Sequence, residues 1–135
     1  MSEEFYLPED TVEWIAQKKS ELLAWVLQHQ AEGDIPFEEH EDFSDRIPET
    51  LSSPDEDWSQ KWEGQSVRVQ IKMFEDDAAV GTGVYWMFIV SLMSPVINSP
   101  GAGEVLVPIL AIPTWETKWL RTWLRGNQVA GKQVH

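Results

Sequence analysis

The chain has 135 residues, 42% hydrophobic and 24% charged, and no cysteine. That length suits one domain, residues 1–135, and the apolar fraction is too high for a disordered chain. The lack of cysteine excludes a disulfide framework, a thiol nucleophile and any Cys-based zinc site.

The longest apolar run, Val84 to Met93 with Ser91 inside it, falls well short of the roughly 18 residues of a membrane span. The N-terminal MSEEFYLPED has no apolar leader core, so a cytoplasmic protein without membrane contact is expected. There are 23 acids against 10 bases, net −13. The imbalance is regional. Residues 1–63 hold 18 acids and four bases, whereas residues 64–135 hold five acids and six bases. The segment 32–63 alone carries 12 acids and two bases. Such a field repels nucleic-acid backbones and favours basic partners, so no direct nucleic-acid binding is expected.

An N-terminal helix is predicted over about 9–31. Pro8 fits its first turn, Asp10-Thr11-Val12-Glu13 has capping-box spacing, and Gly33 supplies a stop. Val12, Ile15, Ala16, Leu22, Leu23, Val26 and Leu27 form one stripe at helical period, which predicts the buried face. Trp14 and Trp25 then lie on nearly the opposite side, either covered by the acidic segment or offered to a partner.

Residues 32–63 form an acidic excursion whose prolines 36, 48 and 54 forbid one long helix. Ile35, Phe37, Phe43, Ile47, Leu51, Trp58 and Trp62 are too many large apolar groups for a solvated linker, so the segment is expected to be pinned to the core. Ser53-Pro54-Asp55-Glu56 reads as a helix start, with Trp58 and Trp62 on one face and Gly64 as the stop.

Three strands follow. Residues 66–74 alternate cleanly, 84–94 are apolar on both faces, and 104–112 carry Pro108, which suits a sheet edge. The turns at 75–83 and 95–103 join them into an antiparallel meander with the second strand central. A C-terminal helix is predicted over about 114–126, with Trp115, Trp119, Leu120, Trp123 and Leu124 on one half and Lys118, Arg121 and Arg125 on the other. A polar tail, 127–135, ends the chain. The expected class is α+β, a three-stranded meander packed with two helices.

Enzymatic motifs are scarce. Gly81-Thr-Gly83 lacks the Lys-Ser/Thr ending of a phosphate loop, and no nucleophile elbow occurs. Glu38-Glu39-His40-Glu41-Asp42 lacks the alternation of a calcium loop, so no metal and no cofactor are expected. The basic half of the C-terminal helix suits core packing beside the acidic segment better than a membrane or nucleic acid.

The leading expectation is a non-enzymatic acidic protein that engages a basic protein partner, in an inhibitor, immunity-type, chaperone-like or nucleic-acid-mimic role. Its candidate contact residues are Glu38, Glu39, Glu41, Asp42, Asp45, Asp55, Glu56, Asp57, Trp14 and Trp25. For mimicry, twelve acids over 32 extended residues give one charge per roughly 9 Å, too sparse against one per about 1.7 Å of duplex axis unless folding condenses them. The alternatives are a solvated 32–63 segment that only keeps the chain in solution and needs no partner, an assembly subunit or homo-oligomer docking through aromatic faces or the Pro108 edge, and a small carboxylate/His hydrolase using His40.

Overall fold

The computed structural model describes residues 7–75, 83–95, 104–123 and 127–131. The order is helix α1 (Glu9–His29), a 3-10 helix (Phe37–Arg46), helix α2 (Ile47–Ser52), strands β1 (Glu56–Trp62), β2 (Gln65–Glu75), β3 (Val84–Pro95) and β4 (Glu104–Thr114), one helical turn α3 (Lys118–Arg121) and strand β5 (Asn127–Gly131).

The strands form one antiparallel sheet in the order β4-β3-β2-β1-β5. The expected meander is β2-β3-β4, with β3 central. It is widened by β1, which replaces the helix expected after Ser53, and by β5, which occupies part of the segment expected to be a loose tail. The error over β1 has a clear source. Trp58 and Trp62 are four apart, a spacing that places two residues on one face of a strand as well as of a helix. Pro54 precedes the strand, and Glu63 (φ 50) and Gly64 (φ 82) make the two-residue turn of a β1–β2 hairpin. Both residues are left-handed, as a hairpin turn with matching twist requires, so Gly64 is a turn residue and not a helix stop.

β4 lies at the sheet edge, where Pro108 and Pro113 are tolerated with their missing donors turned outward. The register with β3 shifts between Val90 and Ser91, leaving Ile109 as the extra residue of a bulge.

The sheet is covered on both faces. One face carries Val67, Val69, Ile71, Phe88, Val90, Leu92 and Ile112 beneath Leu22 and Val26 of α1 and Leu120 of α3. The other carries Phe74, Tyr85, Met87 and Ile89 beneath Phe43 of the 3-10 helix and Ile47 and Leu51 of α2. The segment 32–52 thus crosses the end of the sheet and forms its second cover. Six of the seven anchors expected over 32–63, including Trp58 and Trp62 on β1, are buried or pack on a core, whereas Phe37 stays 41% exposed.

Two helix expectations need correction. α1 begins at Glu9 with Pro8 at its cap position and no side-chain cap bond, so Asp10 lies inside the helix and forms no capping box. α1 is also turned by about a quarter turn from the expected face. Lys18, Leu22 and Val26 are its buried residues, while Val12 and Leu27 are 52% and 57% exposed.

The C-terminal helix shrinks to the single turn of α3. Thr114 still belongs to β4, and the chain is pinned there before it can coil. Trp115 goes to the second face, with Phe43 and Tyr85, while Trp119, Leu120 and Trp123 go to the first. Residues 124–126 and 132–135, and the expected turns at 76–82 and 96–103, lie outside the described residues.

Candidate interaction surface

The segment Phe37–Arg46 repeats every three residues: Phe37, His40, Phe43 and Arg46. A 3-10 helix has three residues per turn, so these four share one side. Phe43 meets Tyr85 at 4.8 Å and Trp115 at 6.3 Å, the His40 ring contacts Phe37, and the Arg46 guanidinium lies 5.3 Å from the Phe74 ring centre. That inner side explains a 3-10 run far longer than the usual three or four residues.

The acids fall on the two remaining sides, Glu38 and Glu41 in one column and Glu39, Asp42 and Asp45 in the other. All five are exposed, and none joins an ion pair among the described residues. At about 2.0 Å rise per residue, Glu38 to Asp45 spans about 14 Å, or one carboxylate per roughly 3 Å of axis. One strand of a DNA duplex carries one charge per about 3.4 Å. The same eight residues fully extended would carry one per roughly 5 Å, so the 3-10 coil brings the ridge to the density of one strand, about half that of the whole duplex.

The other three acids of the candidate set have intramolecular partners. Glu56 and Asp57 are buried, at 6% and 7% exposure. The two terminal guanidinium nitrogens of Arg121, Nη1 and Nη2, donate to Glu56, at 2.9 and 2.7 Å, and Arg68 donates twice to Asp57, at 2.9 Å each. Asp55 accepts from the Met73 amide at 2.9 Å and lies 3.7 Å from Lys72 Nζ. These three carboxylates fasten β1 and the residue before it to β2 and α3.

Trp14 and Trp25 are covered by the chain itself. Trp14 meets Trp62 edge-on at 5.7 Å, and Trp62 in turn meets Trp123 at 5.1 Å. Trp25 is stacked between His29, at 4.4 Å, and Trp119, at 5.9 Å. Between Trp14 and Trp62 sits Lys18, 1% exposed, its ammonium 5.7 and 5.6 Å from the two ring centres and paired with Glu21 and Glu63. Hydrogen bonding to Glu21 and then Glu63 raises its pKa above the ordinary 10.5. Lys18 therefore belongs at the centre of the buried face of α1, where its cation satisfies two indole faces and two carboxylates.

Asp34 is the residue that sequence reasoning passed over. It is buried, and its Oδ1 accepts from the Ile35 and Trp115 amides at 2.7 Å each. Its Oδ2 accepts from Trp119 Nε1 at 2.8 Å and from the Thr114 hydroxyl. One carboxylate thereby ties the start of the acidic segment to the β4–α3 junction. The only local signal is its place directly before the buried Ile35.

His40 is half-buried, with Nε2 3.1 Å from the Ile35 carbonyl, and burial pushes its pKa below 6.5. A groove of about 160 Å³ lies elsewhere, between Asp10, Thr11 and Trp14 of α1 and Gln65 and Leu92 of the sheet. Among the described residues no three His, Asp or Glu side chains group closely enough to hold a metal ion, and no helix is long and apolar enough to cross a membrane. No protein-family model matches the chain, and neither the curated proteins nor the solved structures provide a match.

Proposed function

We propose that this is a non-enzymatic binding protein whose acidic 3-10 ridge docks into the basic groove of a protein partner, and that the groove is one that otherwise receives a nucleic-acid strand. The observation that carries this reading is the ridge Glu38, Glu39, Glu41, Asp42 and Asp45: five exposed carboxylates without an ion pair among the described residues, at about the linear density of one nucleic-acid strand, held by Phe43 on the sheet. Rigid, oriented charge of this kind steers association and sets register more than it adds affinity.

The test is affinity capture from an extract of the source cells at about 0.05 M salt, with elution toward about 0.5 M, using the wild type and a variant with Glu38, Glu39 and Glu41 changed to Gln and Asp42 and Asp45 to Asn. A partner held by the wild type, released by salt and displaced by duplex DNA, but not held by the variant, supports the reading. Retention that ignores both salt and the substitutions overturns it.

A further inference from the structure

The quarter-turn of α1 turns a second feature away from the two cores formed by the described residues. Val12, Ala16, Leu23 and Leu27 run along the outward side of the helix at spacings of four, seven and four. Val12 and Leu27 are more than half exposed, Ala16 is exposed and Leu23 is half-buried. The strip spans about 22 Å at 1.5 Å per residue, four turns of helix. The same helix buries a lysine while it exposes these aliphatic groups. A helix without an outside partner is expected to do the reverse.

With Lys19 between Ala16 and Leu23, the run 12, 16, 19, 23 has the alternating four-and-three spacing of a seam into which one further helix packs, one of its positions being charged. Charge selects the kind of helix. Glu9 and Glu13, both exposed, border the N-terminal end of the strip, and the exposed Lys19 stands on the strip itself between Ala16 and Leu23, in a chain of net −13. A second copy of this chain brings the same negative field. Four side chains also fall far short of the roughly 800 Å² per partner of a stable dimer interface. A contact of this size suits a transient helix-on-helix encounter, and its borders suit lysine and arginine.

We infer that the outward strip of α1 is a docking seat for a basic amphipathic helix of a protein partner, with aliphatic anchors on Val12, Ala16, Leu23 and Leu27 and cationic side chains toward Glu9 and Glu13. This rests on the proposed basic partner and assigns it a second point of contact, distinct from the acidic ridge.

The experiment is an amide chemical-shift titration of the full ¹⁵N-labelled protein with a synthetic helix of leucines on one face and lysines on the rest. A second peptide carries glutamate in place of lysine. The lysine peptide is expected to shift Val12, Ala16, Leu23 and Leu27 saturably, the glutamate peptide to leave them in place, and Leu27→Glu to weaken binding at least tenfold. Leu27 is 57% exposed, so that variant is expected to keep the wild-type circular dichroism and melting temperature. Shifts confined to residues 38–45 overturn the α1 seat but leave the basic-partner reading intact. Silence in both regions counts against both. Equal binding of the glutamate peptide overturns the assigned charge, and concentration-dependent shifts of the strip without peptide assign it to a second copy instead.

Discussion

The indole nitrogen of Trp119 donates to Asp34 at 2.8 Å, joining positions 85 residues apart in the chain. The same carboxylate takes the Trp115 and Ile35 amides and the Thr114 hydroxyl, so four donors lose their acceptor if it goes. Asp34→Ala is expected to cost about 3–5 kcal/mol, because stranded buried donors and a lost charged acceptor add together. Asp34→Asn, which turns an NH2 group toward at least one donor, is expected to cost about 2–3 kcal/mol. Urea unfolding followed by tryptophan fluorescence measures both.

Two acids of the same segment, Glu56 and Glu39, are expected to respond in opposite ways to loss of charge. Glu56→Gln breaks the bidentate, charge-assisted pair of hydrogen bonds from Arg121 inside the fold and is expected to destabilise by about 2–4 kcal/mol. Glu39→Gln is expected to stay within about 0.5 kcal/mol of wild type, or to stabilise slightly by easing repulsion along the ridge. A thermal melt at low and high salt separates the two, since salt relieves only the exposed charges.

Lys18 gives stability a defined alkaline edge. Its folded pKa is raised above the unfolded 10.5, so its contribution is complete below 10.5 and is lost as the pH climbs through the folded value. Urea midpoints taken from pH 9 to pH 11.5 are expected to fall for the wild type and to fall less for Lys18→Met. At pH 7 the methionine variant is expected to stay close to wild type, because Glu21 and Glu63 are half-exposed and can turn to water.

Phe43 connects the charge of the ridge to the sheet. Phe43→Ala removes its contacts with Tyr85 and Trp115 and is expected to cost about 2–3 kcal/mol, less than a fully buried phenylalanine. All five ridge carboxylates remain, so partner capture in low salt is expected to weaken only as far as their fixed spacing matters. Capture that matches wild type would show that net charge alone suffices.

The β1–β2 turn is tested by Gly64→Ala. The added methyl meets nothing within 4 Å, so the whole penalty, about 1–2 kcal/mol, comes from the left-handed φ of 82. Gly33, at φ 83 and equally open, is expected to behave alike.

The sequence pattern carried what depends on neighbours in the chain. SVRVQIKMF could only alternate as a strand, the Val84–Met93 run belonged in the middle of a sheet, and Pro108 belonged at an edge. It was silent where a distant residue decides. Lys18 is acceptable inside only because Trp62 and Glu63 come to it from 45 residues away, and that burial turned α1 off its aliphatic stripe. Glu56 and Asp57 look like ridge acids until Arg121 and Arg68 arrive from other elements. The three-residue repeat Phe37, His40, Phe43 was present in the sequence, but it matches neither the helical period of 3.6 nor the strand period of two.

The two prolines of β4 bear on how this chain behaves in a crowded solution. Between Glu104 and Thr114 the sheet ends in an uncharged, aliphatic rim, the kind of border on which other strands are templated and fibres begin. A newcomer reaching for donors at positions 108 and 113 finds none, and the bulge at Ile109 throws the remaining rungs out of step. The two prolines and the bulge thus make this margin a poor template for a further strand.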